Sequence, residues 1–299
     1  MPKKTSEKLT LPKLVARQLR FYSPKISFVS ARDNLASYGM WVEAFTAAFL
    51  AKSLGAGDIA VDIGVNAGMH LFPMSSLVGP TGYVFGFEAN PNLVDRVENR
   101  LFKNSIEHVT IVSAAVNDHS GVGKFVIYPE NPGLSHIQHG GPVNKNTQGK
   151  KSKVVDIEFA TVDNHVDGAV SAIKSDIEGA DFIGLRGAKT ILESSRPLIV
   201  FENGRKAAAD AFGYSIDDFF EYFDEVDYNL FDIHGYPLRK GQWESINICY
   251  ETLAIPREDP RLLSIMDFIE KFWDSALKHE PIKGWGQCVA TGRSILAKL

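Results

Sequence analysis

Apolar and polar residues alternate along the middle of the chain in two different periods, and the switches between them outline the fold. IAVDI (59–63) is a short, β-branched apolar run that reads as a buried strand. Before it, Trp41, Phe45, Ala48, Phe49 and Leu50 fall at helical spacing, and Gly55 and Gly57 stop that helix. After it, residues 69–79 read as a helix with Pro73 in the first turn, where a missing N–H costs little. The pattern then repeats: strand 83–89, helix 93–104, strand 109–116, strands 124–129 and 154–162, strand 169–177, helix 179–195, strand 196–203 and helix 215–223. Segments 229–233 and 244–255 end the sheet, and 261–279 is an amphipathic helix. Strand–helix alternation across 59–203 predicts an α/β fold, with a mostly parallel central sheet and helices on both faces.

This pattern divides the chain into a basic arm (1–37), a main domain (38–255) and a helical extension packed on it (256–299). The polar stretch 130–153 is longer than an idle connector needs, so it is a functional lid or a disordered loop.

Composition adds exclusions. A formal charge of −4 supplies no basic field for nucleic acid. No run reaches the roughly 18 apolar residues of a membrane span, and the basic arm lacks the apolar core of a secretory signal. The arm's segment 11–22 is amphipathic and suits an anionic membrane, its own domain or a second subunit. The first of these is the least expected, and a homodimer is an open expectation. Cys249 and Cys288 make neither a disulfide framework nor a zinc spacing, which points to a reduced, cytoplasmic protein.

In folds of this class ligands sit beyond the carboxyl ends of the strands. Asp62-Ile-Gly64-Val-Asn66-Ala-Gly68 follows the first strand, and its glycines allow a sharp turn and a close backbone approach. Glu88 closes the next strand, where a carboxylate can accept from both hydroxyls of a ribose. The motif departs from the dinucleotide fingerprint G-x-G-x-x-G, because Asn66 stands at the second glycine. Asp62 would repel a pyrophosphate and welcome a cation. S-adenosylmethionine, a nucleoside with a sulfonium and an ammonium, fits this better than a nicotinamide dinucleotide does.

DIGVNAGMHLF, GYVFGFEANP, SAAVND, TVDNHV, IKSDIEGADFIGLRGAKTIL and RPLIVFE, in that order, resemble the FkbM-type methyltransferases. The resemblance runs from about Tyr38 to about Asn203, and the Lys-x-Asp-x-Glu-Gly element is its most specific part. It implies a Rossmann-like class I methyltransferase fold and O-methylation of a hydroxyl on a sugar, glycan or natural product, with S-adenosylmethionine as methyl donor. It implies that Glu88 holds the ribose, that Asp62, Gly64 and Asn66 line the amino-acid end, and that Ser113 to Val116, with Ala114 and Ala115 among them, flank the adenine; Gly68 joins the donor-binding set through its backbone approach at the start of the next helix. Val65 and Ser175 depart from the family pattern.

For catalysis the residues in order of preference are Asp176, His136 and Glu178. Asp176 and Glu178, two apart, can hold a hydroxyl, act as a base or bind a divalent ion; Glu178 can equally charge the N-terminus of the next helix. His136 and His139 offer a base near neutral pH or are solvated loop residues. Lys145, Lys150, Lys151 and Lys153 meet an anionic substrate or water. Glu202 lines the acceptor side or pairs with Arg196 or Arg205, and capping is the safer reading for Asp163. The competing functions are a nicotinamide-dependent oxidoreductase and a non-catalytic nucleoside-binding module.

Overall fold

A computed structural model describes residues 35–139, 147, 149–244, 249–280 and 282–299. The amphipathic arm segment 11–22 and Lys145 lie outside the described residues.

Helix α1 (Leu35–Ser53) leads into β1 (Ile59–Ile63), α2 (Leu71–Val78), β2 (Tyr83–Phe87), α3 (Pro91–Lys103) and β3 (Val109–Val112). After the segments of a second sheet come β8 (Val170–Ser175), α4 (Asp181–Arg186), α5 (Lys189–Ser195), β9 (Leu198–Glu202), α6 (Arg205–Phe212), α7 (Ile216–Glu225), β10 (Tyr228–Asp232), β11 (Glu251–Pro256), α8 (Leu262–Lys278) and α9 (Cys288–Leu296). The main sheet runs β10-β11-β9-β8-β1-β2-β3. Every pair from β9 to β3 is parallel, and β11 enters antiparallel between β9 and β10.

The two-residue period of the strands sorts side chains onto two faces. On one face Ala60, Leu198, Val200, Leu253 and Ile255 pack with apolar residues of α1, α2, α3, α8 and α9. On the other, Val61, Ile63, Ile199, Phe201 and Ala254 pack with α4 to α7. The fold is therefore α/β with a mostly parallel sheet covered on both sides, as the alternation predicts. The extension does not sit outside the domain. Phe268, Phe272, Trp273, Cys288 and Ile295 share one core with Trp41 and Phe45 of α1.

Several elements differ from the sequence reading. The run 109–116 breaks at Ser113, where the Ala114 N–H turns back to the Val112 carbonyl. Beyond it β4 (Ala115–Val116) leaves the main sheet to pair with β7 (Lys153–Ala160). With β5 (Gly121–Ile127) and β6 (His136–Ile137) it forms a second sheet, ordered β4-β7-β5-β6. The helix expected over 179–195 is two helices, broken where Gly187 passes Asn117: a Cβ there would lie 2.1 Å from the Asn117 carbonyl oxygen. Helices α6 and α9 have no counterpart in the sequence reading. The strand expected from 244 starts at Glu251, and 245–248 lie outside the described residues.

Candidate active site

The carboxyl ends of β1, β2 and β8 open into a cavity of about 650 Å³. That is the size of a small-molecule site, for which the general range is about 300–1,000 Å³. Its floor is the turn after β1. Gly64 and Val65 donate to the Phe87 carbonyl (2.9 and 3.1 Å), and the Asp176 N–H donates to the Ile63 carbonyl (3.0 Å). Gly64 has φ +83°, and a Cβ there would stand 2.0 Å from the Asp176 carbonyl oxygen. The close approach that this glycine permits is thus to the chain's own strand end. At Gly68, also at φ +83°, the close neighbour is the Phe72 ring, 2.5 Å from where a Cβ would be.

Glu88 is buried, yet lines the cavity. Its Oε2 accepts the Asn66 N–H at 2.7 Å and its Oε1 the Asn90 N–H at 2.8 Å. Asn66 makes this bond from a left-handed backbone, φ 50°, a conformation asparagine adopts more readily than most residues. Asn90 is also the N-cap of α3. Burial raises the Glu88 pKa, against the two N–H groups and Lys174, which lower it. Two bonds fix the carboxylate and leave further lone pairs for donors from a ligand.

Asp62 is fully buried, does not line the cavity, and has Lys174 Nζ 3.4 Å from its Oδ1. The cation that the sequence reading sought for Asp62 is a side chain of the next strand, not a ligand. Lys174 also donates to the Gly64 carbonyl at 3.0 Å and so pins the turn. Burial lowers the lysine's pKa, but Asp62, Asp176 and Glu43 more than reverse this. Of the residues expected around a donor, Gly64, Asn66, Glu88, Ala114 and Ala115 line the cavity, while Asp62 and Gly68 support it from behind.

Asp176 and Glu178 both line the cavity. Burial raises the Asp176 pKa from its ordinary value, Lys174 opposing. The helix-charging role considered for Glu178 falls to Asp181, which accepts from Ser175 Oγ (2.6 Å), Ile177 N–H (3.1 Å) and Gly179 N–H (3.3 Å). Asp181 therefore shapes the loop that carries Asp176 and Glu178.

His136 does not line the cavity. On β6 its neighbour Ile137 does, and successive strand residues face opposite ways. His136 Nδ1 instead lies 2.9 Å from the Leu134 carbonyl, and its ring stacks on His139 at 4.9 Å. The described start of the 130–153 stretch does cover the cavity, through Asn131 to Ser135. Lys150, Lys151 and Lys153 are exposed and off the lining. Glu202 is off it as well; Arg196 pairs with Glu258 (2.6 Å). Asp163 accepts from Thr190 and Ile191 N–H (2.9 and 3.0 Å), capping α5.

Among the lining residues that the sequence reading did not single out are Glu43, His70 and Trp285. Glu43 of α1 meets His70 Nε2 at 2.7 Å. Burial raises the Glu43 pKa, but His70 and Lys174 bring it below the ordinary value. Trp285 stands at the rim, half exposed. Glu43 and Trp285 come from elements remote in sequence, where no local pattern marks them, whereas His70 lies within the motif after β1, two residues beyond Gly68. Among the described residues, no group of three or more His, Cys, Asp or Glu side chains is arranged to hold a metal ion, and no helix is long and apolar enough to cross a membrane.

A family model described as the methyltransferase FkbM domain matches residues 62–236, more than half of the chain. A protein-L-isoaspartate O-methyltransferase of Ignicoccus hospitalis is 36% identical over 62 residues, 21% of this chain and 29% of that protein. The crystal structure of methyltransferase FkbM from Methylobacillus flagellatus aligns with a TM-score of 0.42 and 12% identity, covering 80% of this chain and 60% of that one. Aeropyrum pernix fibrillarin, in complex with S-adenosyl-L-methionine, aligns with a TM-score of 0.40 and 12% identity over 71% of this chain and 76% of its own. The chain thus spans under a third of the curated relative and three fifths of the FkbM structure.

Proposed function

The chain belongs to the FkbM methyltransferase family, and on that premise we propose that the cavity binds S-adenosylmethionine and that a hydroxyl of a sugar, glycan or natural product receives the methyl group. The observation that carries the reading is Glu88: a carboxylate at the end of β2, clamped by the Asn66 and Asn90 N–H groups and turned to the cavity. It suits the paired hydroxyls of a ribose. Ala114, Ala115 and Val116 offer an apolar wall for a base beside it, and Glu43, Asp176 and Glu178 give the opposite end the sign that a sulfonium and an ammonium need.

When bound, the donor supplies a methyl group on a positively charged sulfur. The chain's own work is mostly alignment of two reactants, which accounts for large rate gains in such transfers. Asp176 is our first choice to receive the hydroxyl proton as the oxygen–carbon bond forms and the carbon–sulfur bond breaks. It lies on the loop fixed by Asp181, and burial lifts its pKa towards the range of a useful base. Glu178 is the alternative within reach of the same cavity.

The test is methyl transfer from labelled S-adenosylmethionine to neutral hydroxylated acceptors. With an acceptor in hand, Asp176→Asn is expected to lower kcat at saturating donor by roughly 10²- to 10⁴-fold, the usual weight of a general base. Unchanged kcat in that variant would remove Asp176 from the role.

A further inference from the structure

We propose that Trp285 is the platform on which the acceptor lies, and that the acceptor is a neutral, polyhydroxylated ring of the sugar class. The inference rests on the reading of the cavity as a methyl-transfer site and adds the partner of the donor.

The chain has four tryptophans. Trp41, Trp243 and Trp273 are 6% exposed or less, whereas Trp285 is 54% exposed and lines the cavity. Its place is built. The indole rests on α1 at Gly39, where a Cβ would stand 3.1 Å from the ring, a contact tight enough that a side chain at 39 would make the indole shift. Gly39 and Glu43 are four apart on that helix and share a face, which sets the indole one turn from a carboxylate of the lining. Just beyond Trp285, α9 is clamped onto α1: Cys288 is fully buried, and Gly292 passes so close to α1 that a Cβ would lie 1.9 Å from the Ala44 carbonyl oxygen. The indole is thus seated against α1 at the mouth with about half of its surface exposed.

Charge selects what it meets. Glu43, Glu88, Asp176 and Glu178 line the cavity; of the lining bases, His70 is paired with Glu43, and Lys174 is engaged with Asp62 and the Gly64 carbonyl. A phosphate-bearing acceptor, RNA included, would be repelled. A neutral sugar presents an apolar ring face to the indole and hydroxyl donors to carboxylates. Trp285 lies beyond the family match, which ends at residue 236. Acceptor choice would then reside in this chain's own extension rather than in the shared domain.

Because Trp285 is the well-exposed tryptophan, acrylamide quenching of tryptophan fluorescence reports on it. The full chain, with and without saturating S-adenosylhomocysteine, would be titrated with methyl glycosides of neutral hexoses and 6-deoxyhexoses, and separately with an RNA oligonucleotide. We expect at least one glycoside to reduce quenching at least twofold and RNA to leave it unchanged. By calorimetry, Trp285→Ala should weaken that glycoside at least tenfold, Trp285→Phe should recover part of the loss, and the affinity for S-adenosylhomocysteine should stay the same. Quenching that no glycoside alters, protection by RNA, or undiminished glycoside binding by Trp285→Ala would overturn the proposal while leaving the donor site standing. Absence of S-adenosylhomocysteine binding by the intact chain would instead bring down the reading of the cavity and this proposal with it.

Discussion

Lys174 and Asp62 sit directly opposite each other on β8 and β1, with Nζ 3.4 Å from Oδ1, and both are shut away from solvent. Neither carboxylate oxygen of Asp62 has a hydrogen-bond partner. Lys174 is therefore what makes this buried charge tolerable, and its second bond, to the Gly64 carbonyl, ties that compensation to the shape of the site. Removing one partner of such a pair costs about 3–5 kcal/mol, whereas replacing both with apolar residues is often neutral. Lys174→Met should accordingly lose about 3–5 kcal/mol in urea unfolding, and Asp62→Leu combined with Lys174→Met should recover most of it. Additive losses in the double variant would show that the pair does not act as a unit.

Gly64 is required twice over, by its φ of +83° and by the Asp176 carbonyl oxygen 2.0 Å from the site of a Cβ. Gly64→Ala cannot relax by rotating a side chain, since both constraints are backbone. The strain of a left-handed alanine alone is of order 1–3 kcal/mol, and the overlap must also part β1 from β8. We expect a fall of more than about 2 kcal/mol in unfolding free energy, with loss of S-adenosylhomocysteine binding in whatever remains folded. Near-native binding and stability would refute this account of the turn.

Glu202 and Glu251 face each other across β9 and β11, where like charges destabilise. Burial first, then Asp176, pushes both well above the carboxylate range. Asp181 is likewise pushed up to about 7. The folded chain then holds protons that the unfolded chain, with Asp and Glu near about 4, has released. Their stabilisation is complete below pH about 4 and is lost as pH rises through the folded values. His139 acts in the opposite direction. Burial and His136 lower it to about 4, so its contribution is present above about 6.5 and fades as pH falls through 4. The ligand-free protein should melt at a lower temperature at pH 8 than at pH 6, and Glu202→Gln should narrow that gap, stabilising by roughly 0.2–1 kcal/mol at pH 8. A melting temperature that rises from pH 6 to pH 8 would contradict the assignment.

Much of this arrangement was legible in the chain. The strand ends at Gly64, Asn66, Glu88, Ala114, Ala115, Asp176 and Glu178 all reach the cavity, because a parallel sheet aligns the carboxyl ends of its strands and local patterns mark where those ends fall. What was not legible depends on pairing. That Asp62 faces Lys174 follows from the register of β1 on β8, and no local signal states it. His136 is lost to the cavity because a two-residue strand in a second sheet fixes which way it faces. The run 109–116 is mostly apolar and β-like on both sides of Ser113, so its departure to a second sheet there follows from the pairing of Ala115 and Val116 with β7. Glu43 and Trp285 reach the site from a helix and a C-terminal turn whose placement depends on the core shared by α1, α8 and α9.

The most direct measurement is calorimetric titration of the intact protein and of Glu88→Ala with S-adenosylmethionine and S-adenosylhomocysteine. Glu88 is held at both oxygens and faces the cavity. A lost pair of hydrogen bonds to a charged group, each worth about 1.5–3 kcal/mol, should weaken binding by roughly 10²-fold or more. Saturable binding to the intact chain that collapses in the variant, with the variant still unfolding cooperatively, is the expected result. An intact, folded protein that binds neither ligand, or a Glu88→Ala variant that binds as tightly as the parent, would contradict the donor site described above.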